Sequence, residues 1–327
     1  MLAVTTCGRR RRVPVLDLGR AVFGRVMVVH GVGQEFRGPE LMCQSVGPAL
    51  RDGVRLSGGP ALSAGDVACV FYGDVFFEPG SRTGDVPPWD EFDVETGFEA
   101  ELLEAWWEYA ASVDPAVAGP DEQGTRGAVG YALSRPLLIR RVRAALNALT
   151  GLPFFEKVSD RMLVFALKQV RRYMTEPSVR VAARERVAAA VGAETRVVVA
   201  HSLGSVVAYE ALCANPRWPV TDFVTVGSPL GLRSVIFDRL DPAPVDGAGV
   251  WPAGVRRWTN IADPGDVVAL AGVLADRFGD RVVDVPITNG ARMHDLLRYL
   301  TAPSVGTAVA RGLPEANDAG ETGHRRD

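Results

Sequence analysis

Residues 195–214 constrain the fold more than any other segment of this chain. Residues 195–200 form a short Val-rich run, which is typical of a strand buried on both faces of a sheet. Residues 203–214 are apolar at helical spacing, and Asn215-Pro216 ends the predicted helix. A buried strand that turns directly into a helix favours a parallel sheet whose strands are joined by helices.

The same alternation of buried strands and helices continues along most of the chain. Five further short apolar runs predict strands, and three further segments have helical periodicity. The strands are predicted at 25–31, 66–73, 223–227, 255–261 and 281–285, and the helices at 39–56, 179–191 and 291–300. The predicted fold class is therefore α/β, with a mostly parallel sheet flanked by helices.

Residues 74–178 interrupt this alternation and are interpreted as a helical insertion. Its first part, 74–122, carries 14 acidic residues against one basic residue. Its second part is basic and strongly apolar at 136–146 and 161–174. One interpretation is that the two oppositely charged parts pair with each other and pack as helices. The other is a lid whose apolar, basic helices contact a lipid or an acyl chain.

The sequence predicts one domain with two flanking segments. We expect an N-terminal extension over 1–24, an α/β domain over 25–314 that contains the insertion, and a polar, disordered tail over 315–327. No apolar segment follows the N-terminal Arg run, so no signal peptide is predicted. No run reaches the roughly 18 apolar residues of a membrane span. A cytoplasmic location is the resulting expectation.

Charge and cysteine content limit the partners that we expect. The formal net charge of −3 argues against binding to nucleic acid. The four cysteines lie far apart, without a CxxC pair or a Cys/His cluster of metal-binding spacing. Cys43, Cys69 and Cys213 lie in apolar runs and are predicted to be buried thiols. We expect no metal and no organic cofactor.

The turn after the Val-rich strand, Ala200-His201-Ser202-Leu203-Gly204, carries the strongest chemical signal in the sequence. A serine hydroxyl is a weak nucleophile unless a base, a group that orients the base and donors for the oxyanion surround it. A tight strand-turn-helix needs small residues two positions before and after the serine, because the two backbones nearly collide there. Ala200 and Gly204 meet this need, so Ser202 is predicted to be a nucleophile. The plain alternative is a serine in an ordinary turn.

With this turn, the sequence resembles the lipase/esterase branch of the α/β-hydrolases, especially the class 3 lipase-like enzymes. The resemblance covers residues 25–36 and 195–300 and does not extend to the insertion. It implies an α/β-hydrolase fold and a Ser-His-Asp triad whose members follow in the chain order Ser, Asp, His.

The four histidines leave one candidate for the base. His324 lies in the predicted tail, and His201 adjoins the nucleophile with a side chain expected to diverge from it. His30 ends the first strand, where the resemblance places the oxyanion loop. His294 follows the last strand and precedes a helix, where this fold carries its base.

Two aspartates after the fifth strand are candidates for the acid. Asp266 is followed by Val267-Val268, as the acid of the lipase-like family is followed by a short apolar pair. Asp263 precedes Pro264 and resembles a turn-forming residue whose side chain bonds its own backbone. We prefer Asp266 and keep Asp263 as the alternative.

Residues 30–34, with the sequence His-Gly-Val-Gly-Gln, resemble the oxyanion loop of these enzymes. Backbone amides must point at the developing negative charge there, and glycine permits the required φ. The expected donors are the N–H groups of Val32 and Leu203. Further residues expected at the substrate site are His30, as a residue that fixes the loop, Gly31, Gly33, Gln34, Gly227 and Ser228.

The resemblance implies hydrolysis of a carboxylic ester, either a small molecule or a lipid, through an acyl-enzyme. The insertion would then be the place of peripheral lipid contact. Thioester hydrolysis, amide hydrolysis and acyl transfer would use the same residues. A module that keeps the fold and binds a partner without catalysis is an alternative of a different class. The sequence leaves the oligomeric state open.

Overall fold

The computed structural model of the protein describes most of the predicted domain. The described residues are 24–34, 37–76, 89–120, 134–151, 159–270 and 272–313. The predicted N-terminal extension, apart from Gly24, and the predicted disordered tail lie outside these residues.

A six-stranded, all-parallel sheet forms the centre of the molecule. The strands are β1 (Val26–Val29), β2 (Val67–Val70), β3 (Val197–His201), β4 (Asp222–Val226), β5 (Arg257–Ala262) and β6 (Val282–Pro286). Their order across the sheet is β2-β1-β3-β4-β5-β6. All six lie at positions where the sequence predicts strands, so the predicted parallel sheet flanked by helices is confirmed.

Helices cover both faces of this sheet. They are α1 (Pro39–Leu56), α2 (Phe98–Val113), α3 (Arg135–Thr150), α4 (Asp160–Thr175), α5 (Pro177–Ala190), α6 (Leu203–Ala214), α7 (Ala275–Phe278), α8 (Leu296–Thr301) and α9 (Pro303–Gly312). Of the described helices, none is long and apolar enough to cross a membrane.

The core has two layers because strand side chains alternate between the faces of the sheet. Met27 and Val198 point into a large apolar cluster built with helices α2 to α6. Val28 and Val199 point into a second cluster built with α1, α8 and α9. The central strands are buried on both faces, so their carboxyl ends are held at fixed positions along one edge of the sheet.

The acidic and basic parts of the insertion pair with each other. Glu104 on α2 accepts a bond of 2.6 Å from Arg141 Nε on α3. Glu99, fully buried on α2, lies 2.8 Å from both Lys168 Nζ and Arg171 Nε on α4. These contacts agree with the charge-pairing interpretation of the insertion.

The C-terminal helices differ from the sequence prediction. The predicted helix at 291–300 is wrong at its start, since 290–292 form a separate 3₁₀ turn and α8 begins at Leu296. The Asp295 side chain accepts the Arg298 N–H at 3.1 Å and caps α8 there. Helix α9 was not predicted, although Pro303 stands at its first position, which is a common start signal.

The three cysteines predicted to be buried are only partly buried. Cys43, Cys69 and Cys213 are free thiols of intermediate exposure. Cys69 lies on β2, which is an edge strand of the sheet and has a neighbour on one side only.

Candidate active site

Ser202 lies in a strained turn between β3 and α6. Its backbone has φ 51° and ψ −132°, a conformation that costs free energy for any residue other than glycine. The Ser202 N–H donates to the Val226 carbonyl of the adjacent strand at 3.2 Å. The residue is 2% exposed. Backbone strain of this kind is kept only where the surrounding structure imposes it, and it clusters at functional sites.

Close packing explains the small residues around Ser202. A Cβ at Gly204 would overlap the carbonyl oxygen of His30 at the end of β1. A Cβ at Gly31 would lie 2.6 Å from the Ser202 Cβ. The loop after β1 therefore passes directly beside Ser202, and neither glycine can be replaced without moving the backbone.

Asp266 and His294 form a hydrogen-bonded pair. His294 Nδ1 lies 2.8 Å from Asp266 Oδ2. Tyr299 Oη donates to the same oxygen at 2.8 Å, and the N–H groups of Val268 and Ala269 donate to Oδ1 at 3.1 Å. Because this carboxylate accepts four hydrogen bonds, its position and orientation are fixed. The proton of the imidazole is thereby assigned to Nδ1, which makes Nε2 the basic nitrogen.

Asp263, the alternative acid, serves the backbone of its own loop. Its Oδ1 accepts the N–H of Gly265 at 2.8 Å, and its Oδ2 accepts the N–H of Asn289 at 2.5 Å. Its own N–H donates to Tyr299 Oη at 3.0 Å. Of the two aspartates, Asp266 is the one that bonds to His294.

His201 connects the nucleophile turn to His294, a contact that the sequence did not indicate. The two imidazole rings lie 4.5 Å apart, and His201 Nε2 lies 3.0 Å from the His294 carbonyl oxygen. Burial, followed by the neighbouring His294, holds the pKa of His201 well below its usual value. His201 is therefore neutral, and its Nε2–H donates to the segment that carries His294. This places His294 beside the end of β3, where Ser202 follows.

The loop after β1 is fixed by His30. His30 Nδ1 lies 2.6 Å from the Gly31 carbonyl oxygen, and His30 Nε2 accepts the N–H of Tyr72 at 3.1 Å. The ring also stacks on Tyr72 at a centroid distance of 4.2 Å. The Gly31 carbonyl and the Val32 N–H belong to one planar trans peptide, so the bond from His30 fixes the direction of the Val32 N–H.

The second expected oxyanion donor lies at a helix start. Leu203 is the first residue of α6, and the first amides of a helix have no acceptor within the helix. The positive end of the helix dipole lies at the same place. Leu203 follows Ser202 directly in the chain, and Val32 follows Gly31, the residue that packs against the Ser202 side chain.

The other residues expected at the substrate site have structural contacts. A Cβ at Gly227, which has φ 52°, would lie 2.9 Å from Asp266 Oδ2 and 3.2 Å from His294 Nδ1. Gly227 therefore packs behind the Asp-His pair. The Ser228 hydroxyl is 2.7 Å from the Ser205 hydroxyl. The Gln34 carbonyl accepts the Arg37 N–H at 3.0 Å in the turn before α1.

Two contacts join the insertion to this edge of the sheet. Tyr109 Oη on α2 donates to the Pro264 carbonyl at 2.8 Å, beside Asp266. The Gly33 N–H donates to Gln169 Oε1 on α4 at 3.3 Å. Neither contact was predicted from the sequence, because no pattern in the insertion indicates which of its residues contact the loops at this edge of the sheet.

Comparison with known proteins provides no relative for this chain. No model of a protein family matches its sequence, and neither the curated proteins nor the solved structures contain a match. Within the described ranges, no group of three His, Cys, Asp or Glu side chains is placed to hold a metal ion. Interpretation of the site therefore depends on its own geometry.

We predict that acid destabilises the fold through its two buried neutral histidines. Burial lowers the pKa of His30 from 6.5 to about 4, so the folded state favours the neutral ring. This stabilisation is complete above pH 6.5 and is lost as the pH falls through 4. The linkage amounts to about 3 kcal/mol, and His201 adds to it in the same direction. Urea unfolding at pH 7, 6, 5 and 4 should show the fall.

The variant His30→Gln provides the control for this pH dependence. Glutamine has no titration in this range, so the slope of unfolding free energy against pH should be smaller than in the wild type. Equal slopes for the two proteins would show that His30 is not the group responsible.

Proposed function

We propose that the chain is a serine hydrolase of the α/β-hydrolase type that cleaves carboxylic esters. The observation that carries this proposal is the 2.8 Å bond between Asp266 Oδ2 and His294 Nδ1, together with the contact of His294 with His201, the residue before the strained Ser202. The chain order Ser202, Asp266, His294 and the position of Ser202 directly after a central parallel strand support the same assignment. Carboxyl ends of parallel strands are also where such sheets usually carry their active sites.

In the proposed mechanism, His294 Nε2 accepts the proton of the Ser202 hydroxyl as its oxygen attacks the ester carbonyl. Asp266 stabilises the imidazolium that forms. The N–H groups of Val32 and Leu203 bind the oxyanion of the tetrahedral intermediate. His294 then protonates the departing alkoxide, leaving an acyl-enzyme. Water, deprotonated by His294, attacks this ester and releases the acid and the free serine.

The ester could be a small molecule or a lipid, and the insertion would be the segment that meets it. Its helices α2 and α4 contact the loops of Asp266 and of Gly33, which supports a place for the insertion beside the substrate. Thioester hydrolysis, amide hydrolysis and acyl transfer to an alcohol share this site. A panel of p-nitrophenyl esters of rising chain length, with and without an added alcohol, ranks these activities.

A fluorophosphonate probe tests the proposal directly. We expect the folded protein to be labelled once, on Ser202, because the activated hydroxyl attacks the phosphorus as it would attack a carbonyl. Peptide mass analysis locates the label. The variant Ser178→Ala, altered at an exposed serine of α5, should be labelled like the wild type. A protein that is labelled only after denaturation, or at another serine, would contradict the proposal and favour a module without catalysis.

A further inference from the structure

The side-chain amide of Gln169, in the insertion, uses its oxygen in a hydrogen bond, but its NH₂ group has no partner in the described part of the chain. Its carbonyl oxygen accepts the Gly33 N–H, which joins positions 136 residues apart in the chain. Since an N–H can only donate, the oxygen of the amide must face the loop and the NH₂ group must face away from it. The residue is 2% exposed, and Nε2 has no hydrogen-bond partner among the described residues.

The position of this unpaired donor points to a ligand. Buried polar groups are nearly always hydrogen-bonded, and an unsatisfied donor is costly in free energy. Lys168, the neighbouring buried polar residue of α4, is paired with Glu99, and most other buried residues of this helix are apolar. The Gln169 amide is therefore a buried polar group whose donor has no partner within the described ranges, and its Gly33 contact lies one residue from Val32, an expected oxyanion donor. A small number of placed polar groups in an apolar wall is the usual composition of a ligand site.

We propose that Gln169 is a substrate-binding residue whose NH₂ group donates to a second acceptor oxygen of the ester, close to the scissile carbonyl. The substrate class is thus an ester that carries an ether or ester oxygen within a few bonds of the reacting carbonyl. This inference rests on the proposed function. It assigns the insertion a direct part in the site, because α4 both fixes the Gly33 peptide and contacts the substrate.

Paired esters that differ by one oxygen test the inference. p-Nitrophenyl methoxyacetate and p-nitrophenyl butyrate differ by an ether oxygen in place of a methylene in the acyl part. 2-Methoxyethyl butyrate and butyl butyrate differ in the same way in the alcohol part. After correction for the rates of alkaline hydrolysis, we expect the wild type to prefer the oxygen-containing member of at least one pair by about tenfold in kcat/KM, the value of one hydrogen bond.

Two variants separate the donor from the support of the loop. Gln169→Glu keeps an acceptor for the Gly33 N–H and removes the NH₂ group, whereas Gln169→Met removes both. Both variants should lose the oxygen preference. Gln169→Met should in addition hydrolyse all four esters more slowly than Gln169→Glu, because the Gly33 N–H loses its acceptor. Arg161→Gln, at an exposed position of α4, should keep the preference. Circular dichroism verifies that each variant folds.

The possible failures are distinguishable. If the wild type is labelled by fluorophosphonate and hydrolyses esters but has no oxygen preference in either pair, the role of Gln169 is overturned and the proposed function stands. The same conclusion follows if the Gln169 variants keep the preference. If Ser202 is not labelled and no ester is hydrolysed, both proposals are overturned.

Discussion

Alanine in place of Ser202 is expected to lower kcat/KM for ester hydrolysis by about 10⁴-fold or more, because it removes the proposed nucleophile. The change leaves the Asp266–His294 pair and the loop of Val32 in place, so any remaining rate would come from bound water and the oxyanion donors. Initial rates with p-nitrophenyl butyrate measure the loss. Ser178→Ala is the matched control. Hydrolysis by the Ser202 variant within tenfold of the wild type would contradict the assignment of the nucleophile.

A glycine at position 202 extends this experiment to the backbone. Ser202 has φ 51° and ψ −132°, which glycine adopts without a clash of its side chain. Ser202→Gly and Ser202→Ala both lack the hydroxyl, so the difference in their unfolding free energies reports the backbone strain less the extra conformational entropy of glycine in the unfolded chain. We expect the glycine variant to be the more stable by about 1–3 kcal/mol. Serine would then be a residue that the fold tolerates at a cost in stability.

Asparagine in place of Asp266 is expected to lower kcat by about 10⁴-fold. Asp266 Oδ2 accepts from both His294 and Tyr299. An amide NH₂ group at this position would face two donors, and an amide oxygen there could not stabilise a charged imidazolium as a carboxylate does. His294 would consequently be held in the wrong tautomer or turned away. Steady-state kinetics across pH 6 to 9 measure this effect on both kcat and its apparent pKa.

Asp263→Asn is the control for this change. Its carboxylate accepts backbone N–H groups of Gly265 and Asn289, so we expect a loss of stability and a change in kcat of less than about tenfold. If the asparagine at 263 caused the larger loss of kcat, Asp263 would be the acid and the bond between Asp266 and His294 would have a structural role.

The sequence predicts the elements of the sheet well because the central strands are short apolar runs with turn signals at their ends. The need for a small residue at position 204 could be predicted for a related reason, since the backbone of His30 approaches closely there. The assignment of Ser202 as a nucleophile stays a prediction. Asp266 and His294 could be named as candidates from their places after predicted strands. Their 2.8 Å bond could not be predicted, because it depends on how two loops fold over the edge of the sheet.

The contacts made by the insertion could not be predicted from the sequence. Gln169 is one amide on the buried side of the basic, apolar helix α4, and nothing in the helix indicates its partner. The partner, Gly33, lies 136 residues earlier in the sequence, and the two residues meet only when the helices pack. The contact between His201 and His294 could not be predicted for a similar reason. The position of His201 beside Ser202 does not indicate that the loop carrying His294 folds against it. Asp295 caps α8 and sets its start, whereas the apolar periodicity of 291–300 predicts an earlier start.

The Tyr299 hydroxyl forms two hydrogen bonds with the loop that carries Asp266. It donates to the Asp266 carboxylate and accepts the Asp263 N–H. Burial raises the pKa of this phenol far above its usual value, so it keeps its proton and remains a donor to Asp266 near neutral pH. The three proposed reacting residues all precede α8, but Tyr299, which helps to orient the Asp266 carboxylate, lies in α8. A chain shortened after His294 would retain every reacting atom and lose the alignment among them.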